Sequence, residues 1–378
     1  MCTYSADYGH LTDFHFMHLS AFAYRGASLT IIEATSVLPN GRITPECAGL
    51  WQDSQIAPVS RLATYLHSQN QKLGIQLAHA GRKASTLAPW LVPRGGRALA
   101  VSAEESGGWE DDVMGPSALR WGEGYAMPRE MSERDIQDVK DGFRESARRA
   151  VEAGVDVVEI HAAHGYLLSS FLSPLSNRRT DRYGGSFENR IRLLLDVVAA
   201  VREVVPEGMP LLVRVSSTEW MEQQATESWD VPSTIRLAKL LPALGVDLLD
   251  VSSGGNNEKQ AVTPYNDFQV GIAAQIRSAL HEAGIFGLLI GAVGMITDAE
   301  VARSIVENGR SGEKSGDGTI EVESESGSGH VAKADVVLVA RQFLREPEWV
   351  LRVAYRLGVK VQWPQQYHRG TFLKGSKI

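Results

Sequence analysis

Short apolar, β-branched runs recur along the chain and alternate with amphipathic stretches of helical length. The runs span Leu29 to Ala34, Leu73 to Leu77, Asp156 to Ile160, Leu211 to Val215, Leu248 to Val251, Gly287 to Ile290 and Val336 to Ala340. Between them, Ser132 to Ala153 and Glu188 to Val205 carry apolar residues at helical spacing. Strands alternating with helices of this length predict a parallel sheet covered by helices. Several runs end in polar or small residues: Glu33-Ala34-Thr35, Gln76, His161, Arg214, Ser252-Ser253-Gly254, Gly291 to Gly294 and Arg341. In a closed (β/α)8 TIM barrel those carboxyl ends converge on one face, which carries the site. An open doubly wound sheet would show one switch-point crevice with a glycine-rich turn, and no run leads into a GxGxxG. The barrel is the expected fold, in one domain covering the chain.

A barrel needs eight strands and seven are visible, so the first is expected before Met1, with Met1 to Ser5 as its tail running into a loop. The segment 78–130, after the third barrel strand, is far longer than a usual connection. With Trp90, Trp109 and Trp121 it is expected to cap the mouth, while His79 and Arg82 shape its start. Ser311 to Lys333 is rich in Ser, Gly and Glu and nearly devoid of large apolar residues, and is expected to be a disordered insertion on the face opposite the site.

Composition narrows the partners. A formal net charge of −7 and a pI near 5.8 argue against nucleic acid or an anionic membrane surface, which need clustered Lys and Arg. A small-molecule partner is expected. No apolar run approaches the roughly 20 residues of a membrane helix, and MCTYSADYGH has neither region of a signal peptide. With only Cys2 and Cys47 there is no disulfide framework, and the cytoplasm is the expected compartment.

The stretch EIHAAHGYLLSSFLSPLSNRRTDRYGGSFENR, Glu159 to Arg190, places His161, His164 and Tyr166 within six positions at a strand end. Two imidazoles can hydrogen-bond a carbonyl oxygen and polarise a conjugated C=C bond, and a phenol can supply a proton. An HxxH also fits two packing histidines or a zinc site, though no Cys or third His lies nearby to complete a metal set.

This stretch resembles the Old Yellow Enzyme family, also called NADH:flavin oxidoreductases, in the branch of bacterial thermophilic-like members and fungal relatives. MCTY, FHFMHLS, IIEATSVLPNGRIT, LGIQLAHAGRKAS, LLVRVSSTEW, VDLLDVSSGGN, GAVGMIT and ADVVLVARQFLREP agree with it in the same order. The resemblance implies an FMN-dependent ene-reductase, or NADPH dehydrogenase, reduced by NADPH or NADH. His161 and His164 would bind the substrate oxygen, and Tyr166 would protonate the α-carbon. Gln76 would meet the pyrimidine edge of the flavin, Arg214 its N1 and C2 carbonyl region, and Ala34 and Thr35 its side. Ser253, Gly254, Gly294, Ala340 and Arg341 would hold the phosphate. Met1 and Cys2 would lie by the ring, Tyr4 would contact substrate, and Arg369 would reach a neighbouring subunit's site in a homodimer. No metal is implied. If the flavin contacts before the MC pair are absent from the protein, the alternative is a flavin-free, inactive barrel. A metal-dependent hydrolase is disfavoured because the strand ends lack a carboxylate and histidine ligand set.

Overall fold

A computed structural model describes residues 1–92, 107–224, 227–263, 267–307 and 331–372. Seven strands lie side by side in chain order, all parallel: β1 (Leu29–Ser36), β2 (Lys72–Ala78), β3 (Val157–Ala162), β4 (Leu211–Ser216), β5 (Leu248–Ser252), β6 (Leu289–Ala292) and β7 (Val336–Val337). Around them run α1 (Asp13–Ala23), α2 (Ile56–Ser68), α3 (Glu133–Glu152), α4 (Leu167–Leu172), α5 (Phe187–Arg202), α6 (Val231–Ala238), α7 (Val270–Glu282), α8 (Ala299–Val306), α9 (Arg341–Arg345) and α10 (Trp349–Leu357). Sequential parallel strands under helices give a TIM-barrel-like fold.

Strand alternation divides the core. Residues facing outward, such as Ile75, Leu77, Val158, Ile160, Val213, Val215, Leu249 and Val251, pack with Leu62, Leu66, Ile136, Phe143, Leu194 and Val197 of α2, α3 and α5 into one continuous apolar layer. Inward-facing Val157, Leu212 and Leu248, with Leu29 and Val336 against them, form a separate apolar plug at the amino-terminal end of the sheet. Above the plug the same strands turn polar, with Gln76, Glu159, Arg214 and Asp250, then His161, Ser216 and Ser252. A barrel interior fills in such layers.

Caps set the helix boundaries. Ser132 accepts from the Asp135 N–H and Asp135 accepts from the Ser132 N–H, a reciprocal box that starts α3 where the pattern expects it. Ser186 caps α5 one residue before its first helical position. Gln76 and Arg214 lie within β2 and β4, as their runs have them, and β3 runs past its apolar run to take in His161. Their side chains face the polar interior while their backbones stay in the ladder. Residues Met1 to Ser5 are not in a ladder. Thr3 instead donates its N–H to the Glu33 carboxylate on β1, at 2.7 Å.

The described part of the capping segment contains three 3-10 turns, at Gly81–Lys83, Pro89–Leu91 and Glu110–Asp112, and a two-residue ladder of Met114–Gly115 with Arg129–Glu130. Residues 93–106 lie outside the described residues, as does the anticipated insertion apart from 331–333, where Lys333 donates its N–H to Ile305 O. No helix among the described residues is long and apolar enough to cross a membrane.

Phe143 is fully enclosed between α3 and the sheet layer. Phe143→Ala should lower stability by about 3–5 kcal/mol, read from urea unfolding. A loss below about 1 kcal/mol would mean that the layer is not packed as described.

Candidate active site

β3 carries His161 inward and ends at Ala162, and the chain then turns sharply so that His164 and Tyr166 fold back over the strand end. The turn needs His164 at φ +61° and Gly165 at φ +71°. A Cβ on Gly165 would sit 2.3 Å from the Gly255 carbonyl oxygen, so this glycine lets the turn pack against the loop after β5. The three rings meet edge to face: the His161 centroid lies 5.2 Å from that of His164 and 5.1 Å from that of Tyr166.

Local hydrogen bonds fix the two imidazoles differently. His161 Nδ1 accepts the Ala163 N–H at 3.1 Å, which leaves the ring's proton on Nε2 as a donor. His164 Nε2 pairs with Ser252 Oγ at 2.8 Å, and its backbone N–H donates to Ser216 Oγ. Desolvation, reinforced by the cation of Arg214, holds both rings neutral well below the usual histidine value. Burial likewise keeps the Tyr166 phenol protonated, well above its ordinary value. The site thus holds neutral donors, suited to hydrogen-bonding a carbonyl and to giving up a proton.

Beneath them, Gln76 donates Nε2–H to Glu159 Oε1 at 2.5 Å, and Arg214 Nε lies 3.2 Å from Asp250 Oδ2. Gln76 is thus bonded at one end, while Arg214 Nε is paired with Asp250 by charge without a hydrogen bond among the described residues. Gln76 keeps its carbonyl oxygen and a second N–H, and Arg214 keeps its terminal amino groups.

Lys83 sits at the wall. Its ammonium donates to His164 O and Gly255 O at 3.0 and 3.1 Å and lies over the rings of Trp121 and Tyr166. Desolvation, with the nearby Arg82 cation, pushes its amine down to about 8. Arg82 donates to Asn256 O and Oδ1, Asn256 donates to buried Glu219, and Trp121 Nε1 donates to Gly255 O. These bonds tie Arg82, Lys83 and Trp121 to the loops after β3 and β5. His79, enclosed and accepting the Gly81 N–H, shapes its first turn.

The remaining nominated residues divide. Ala34 and Tyr166 line one small recess with Cys47 and Arg42. Cys2 lies by the Ala34 backbone, and burial raises its thiol. Tyr4, at φ +48°, meets the exposed ring of Trp90 edge-on. Met1 is exposed, and Thr35 bonds back to Glu33 O. The loops after β5, β6 and β7 are neighbours through the ladder. There Gly254 spends its N–H on Thr218 O, Gly294 adopts φ +102°, and Ala340 and Arg341 are exposed. Arg369 is not brought to its own barrel's mouth. It lies in a turn whose Tyr367 stacks on Tyr24 at the carboxyl end of α1.

The site includes residues to which sequence reasoning gave no role, Lys83, Glu159 and Asp250, and it gives Ser252, read there only as part of a strand end, a bond to His164. Glu159 and Asp250 did carry a signal, a lone acid inside each of two apolar strands.

Residues 1–312 match the NADH:flavin oxidoreductase / NADH oxidase family. The chain belongs to this family, the Old Yellow Enzyme family. An NADH:flavin oxidoreductase of Gibberella zeae is 44% identical over 375 residues, covering 97% of this chain and 83% of that protein. An NADPH dehydrogenase of Bacillus subtilis is 38% identical over 372 residues, covering 98% and 93%. Morphinone reductase in complex with tetrahydroNAD superimposes with a TM-score of 0.67 at 24% identity, covering all of this chain and 89% of that one, which bears on the fold alone. The protein is an oxidoreductase that uses FMN, with a nicotinamide nucleotide as reductant. The donor set fits that group. Gln76 offers a donor and an acceptor side by side, Arg214 offers a cation, and Arg341 forms no ion pair among the described residues.

His79, buried, is pushed down to about 4 by desolvation. The unfolded chain takes up this proton near the ordinary histidine value, so the stability that His79 contributes is full above about pH 6.5 and is lost as pH falls toward about 4. The stability gap between wild type and His79→Gln should therefore narrow by about 1–2 kcal/mol between pH 7 and pH 5 in urea unfolding. A gap that does not change with pH would contradict a neutral, desolvated imidazole.

Proposed function

We propose that the enzyme reduces the C=C bond of α,β-unsaturated carbonyl compounds. The observation that carries this reading is the fixed tautomer of His161, whose Nε2–H meets no acceptor among the described residues and whose ring lies 5.1 Å, centroid to centroid, from that of Tyr166. A carbonyl oxygen received by His161 would draw electron density from the conjugated alkene, and Tyr166 would stand beside the α-carbon.

His161 Nε2–H would donate to the substrate oxygen. His164 would join it through Nδ1 when Ser252 Oγ–H donates to Nε2, an arrangement that leaves the proton on Nδ1. As negative charge grows on that oxygen, donors already oriented in a desolvated site would stabilise it by about 2–4 kcal/mol. Tyr166, kept protonated by burial, would deliver its proton to the α-carbon. Lys83, above the phenol ring and held by two carbonyls, would stabilise the phenolate left behind.

FMN would be held by Gln76 at its pyrimidine edge, Arg214 near N1 and the C2 carbonyl, and Ala34 beside the ring. Ser253, Gly294, Ala340 and Arg341 would hold its phosphate, with Gly254 contributing space rather than a donor. When bound, FMN supplies hydride transfer, taken from NADPH or NADH and passed to the β-carbon. Cys2 and Tyr4 would border the ring and the substrate. The exposed turn of Arg369 suits a residue that serves a neighbouring copy's mouth in a homodimer. Two free cysteines support a reducing, cytoplasmic setting.

The decisive comparison uses Tyr166→Phe in stopped flow. Reoxidation by an enone such as 2-cyclohexenone should slow by about 10²–10⁴-fold, while reduction by NADPH changes little. Equal slowing of both halves would remove Tyr166 from the proton-transfer role. A protein purified without visible flavin absorbance that takes up no added FMN would favour the flavin-free alternative.

A further inference from the structure

Two buried acids under the site are not used by the reaction as read above. Glu159 on β3 and Asp250 on β5 are each 1% exposed and flank Arg214 of β4 in the interior tier. Their side chains interact directly, and each leaves one enclosed oxygen, Glu159 Oε2 and Asp250 Oδ1, without a donor. Two ionised carboxylates beside one guanidinium would leave an uncompensated negative charge in a space sealed from below by the apolar plug. One proton between them removes that charge and supplies the donor both oxygens lack.

We propose that Glu159 and Asp250 share a single proton and act together as the positioning device for the flavin-facing residues Gln76 and Arg214. The proposal rests on the reading that these two side chains meet the flavin. Glu159 grips one N–H of Gln76, which orients the amide so that its carbonyl and second N–H face the mouth. Asp250 stands in ion-pair range of Arg214 Nε at 3.2 Å, without a hydrogen bond among the described residues, so its attraction draws the guanidinium by that edge and leaves the terminal amino groups for the same direction. With one proton on the pair, the two acids and the guanidinium sum to zero. The guanidinium then acts on the mouth as a cation whose countercharge lies below it.

The groups facing Glu159 are few. β2 presents uncharged Gln76, β4 the Arg214 cation and β5 Asp250. Across the ladder from Asp250, β6 and β7 present Gly291 and Val336, which do not titrate. His161 follows two positions later on β3 and is neutral, and Glu33 on β1 is occupied by Thr3. Burial and Asp250 push the Glu159 carboxyl up to about 7, so the proton is held through the acid range and leaves as pH rises past neutrality. Loss of that proton puts a negative charge beneath the flavin, which should disfavour the reduced, anionic form.

The test uses the FMN-loaded enzyme and three readouts: the flavin midpoint potential against pH, the FMN dissociation constant from flavin fluorescence, and the infrared band of protonated carboxyl groups. Glu159→Gln keeps the hydrogen bond to Gln76 and donates permanently to Asp250. It should retain FMN affinity within about threefold, lose one protonated-carboxyl band and abolish the bend in potential expected of wild type near neutral pH. Glu159→Leu frees Gln76 and should weaken FMN binding by about tenfold or more. An unchanged infrared spectrum in Glu159→Gln, or a wild-type potential that runs through neutral pH without a bend, would overturn the shared proton. Unaltered FMN affinity in Glu159→Leu would overturn the positioning role. If Gln76→Leu and Arg214→Leu also bind FMN like wild type, it is the placement of the flavin that has failed, and the infrared result still judges the proton.

Discussion

Period-two alternation on parallel strands is the constraint from which the rest of this structure follows. Every strand must give one face to the surrounding helices, and that face is uniformly apolar because it is buried whichever end of the barrel it lies near. The other face is free to change character along its length. At the amino-terminal end it is an apolar plug built on Val157, Leu212 and Leu248. Two residues further along the same three strands stand Glu159, Arg214 and Asp250, and two further still His161, Ser216 and Ser252. The barrel is a packed stack whose polarity rises toward its mouth.

This gradient explains why the site can hold charges that would otherwise be costly. A carboxyl or guanidinium in the interior loses its hydration and needs a partner to compensate. The strand register supplies one, since Arg214 is paired across the ladder with Asp250 and Gln76 with Glu159. The plug excludes water from below, so those pairings act in a medium of low polarity, where they orient a side chain more firmly than at a surface. The imidazoles above gain from the same desolvation. They stay neutral and offer N–H donors rather than cations.

Much of the architecture was legible because it rests on long-range periodicity. The seven strands and the major helices fall close to where apolar spacing places them, with the side-chain cap Ser132 at the expected start of α3 and α5 beginning one residue before the expected Glu188. His161, His164 and Tyr166 stood out because three chemically capable side chains followed an apolar run. The strand ends were less legible. A strand continues through residues whose side chains point into a polar interior, so hydrophobicity stops before the ladder does. Within Ser252-Ser253-Gly254 the alternation decides which serine meets the imidazole: Ser252 shares the inward face with Asp250 and reaches His164.

Glu159 and Asp250 were overlooked for a different reason. Within VVEIHA and LLDVS a single acid hardly alters the apolar character of a strand, and its partner lies on another strand some ninety positions away. Only the register brings the two acids to one level around Arg214. Lys83 was hidden in a similar way, beside His79 and Arg82 in a loop whose basic residues have different tasks. His79 shapes a turn, Arg82 ties the cap to Asn256, and Lys83 alone reaches the Tyr166 ring. Residues that chemistry marks by their own type can be found in a sequence. Residues whose importance lies in what stands beneath or beside another group emerge only when the strands are set in register, because the same acid in an adjacent position would face the helices and have no cation to meet.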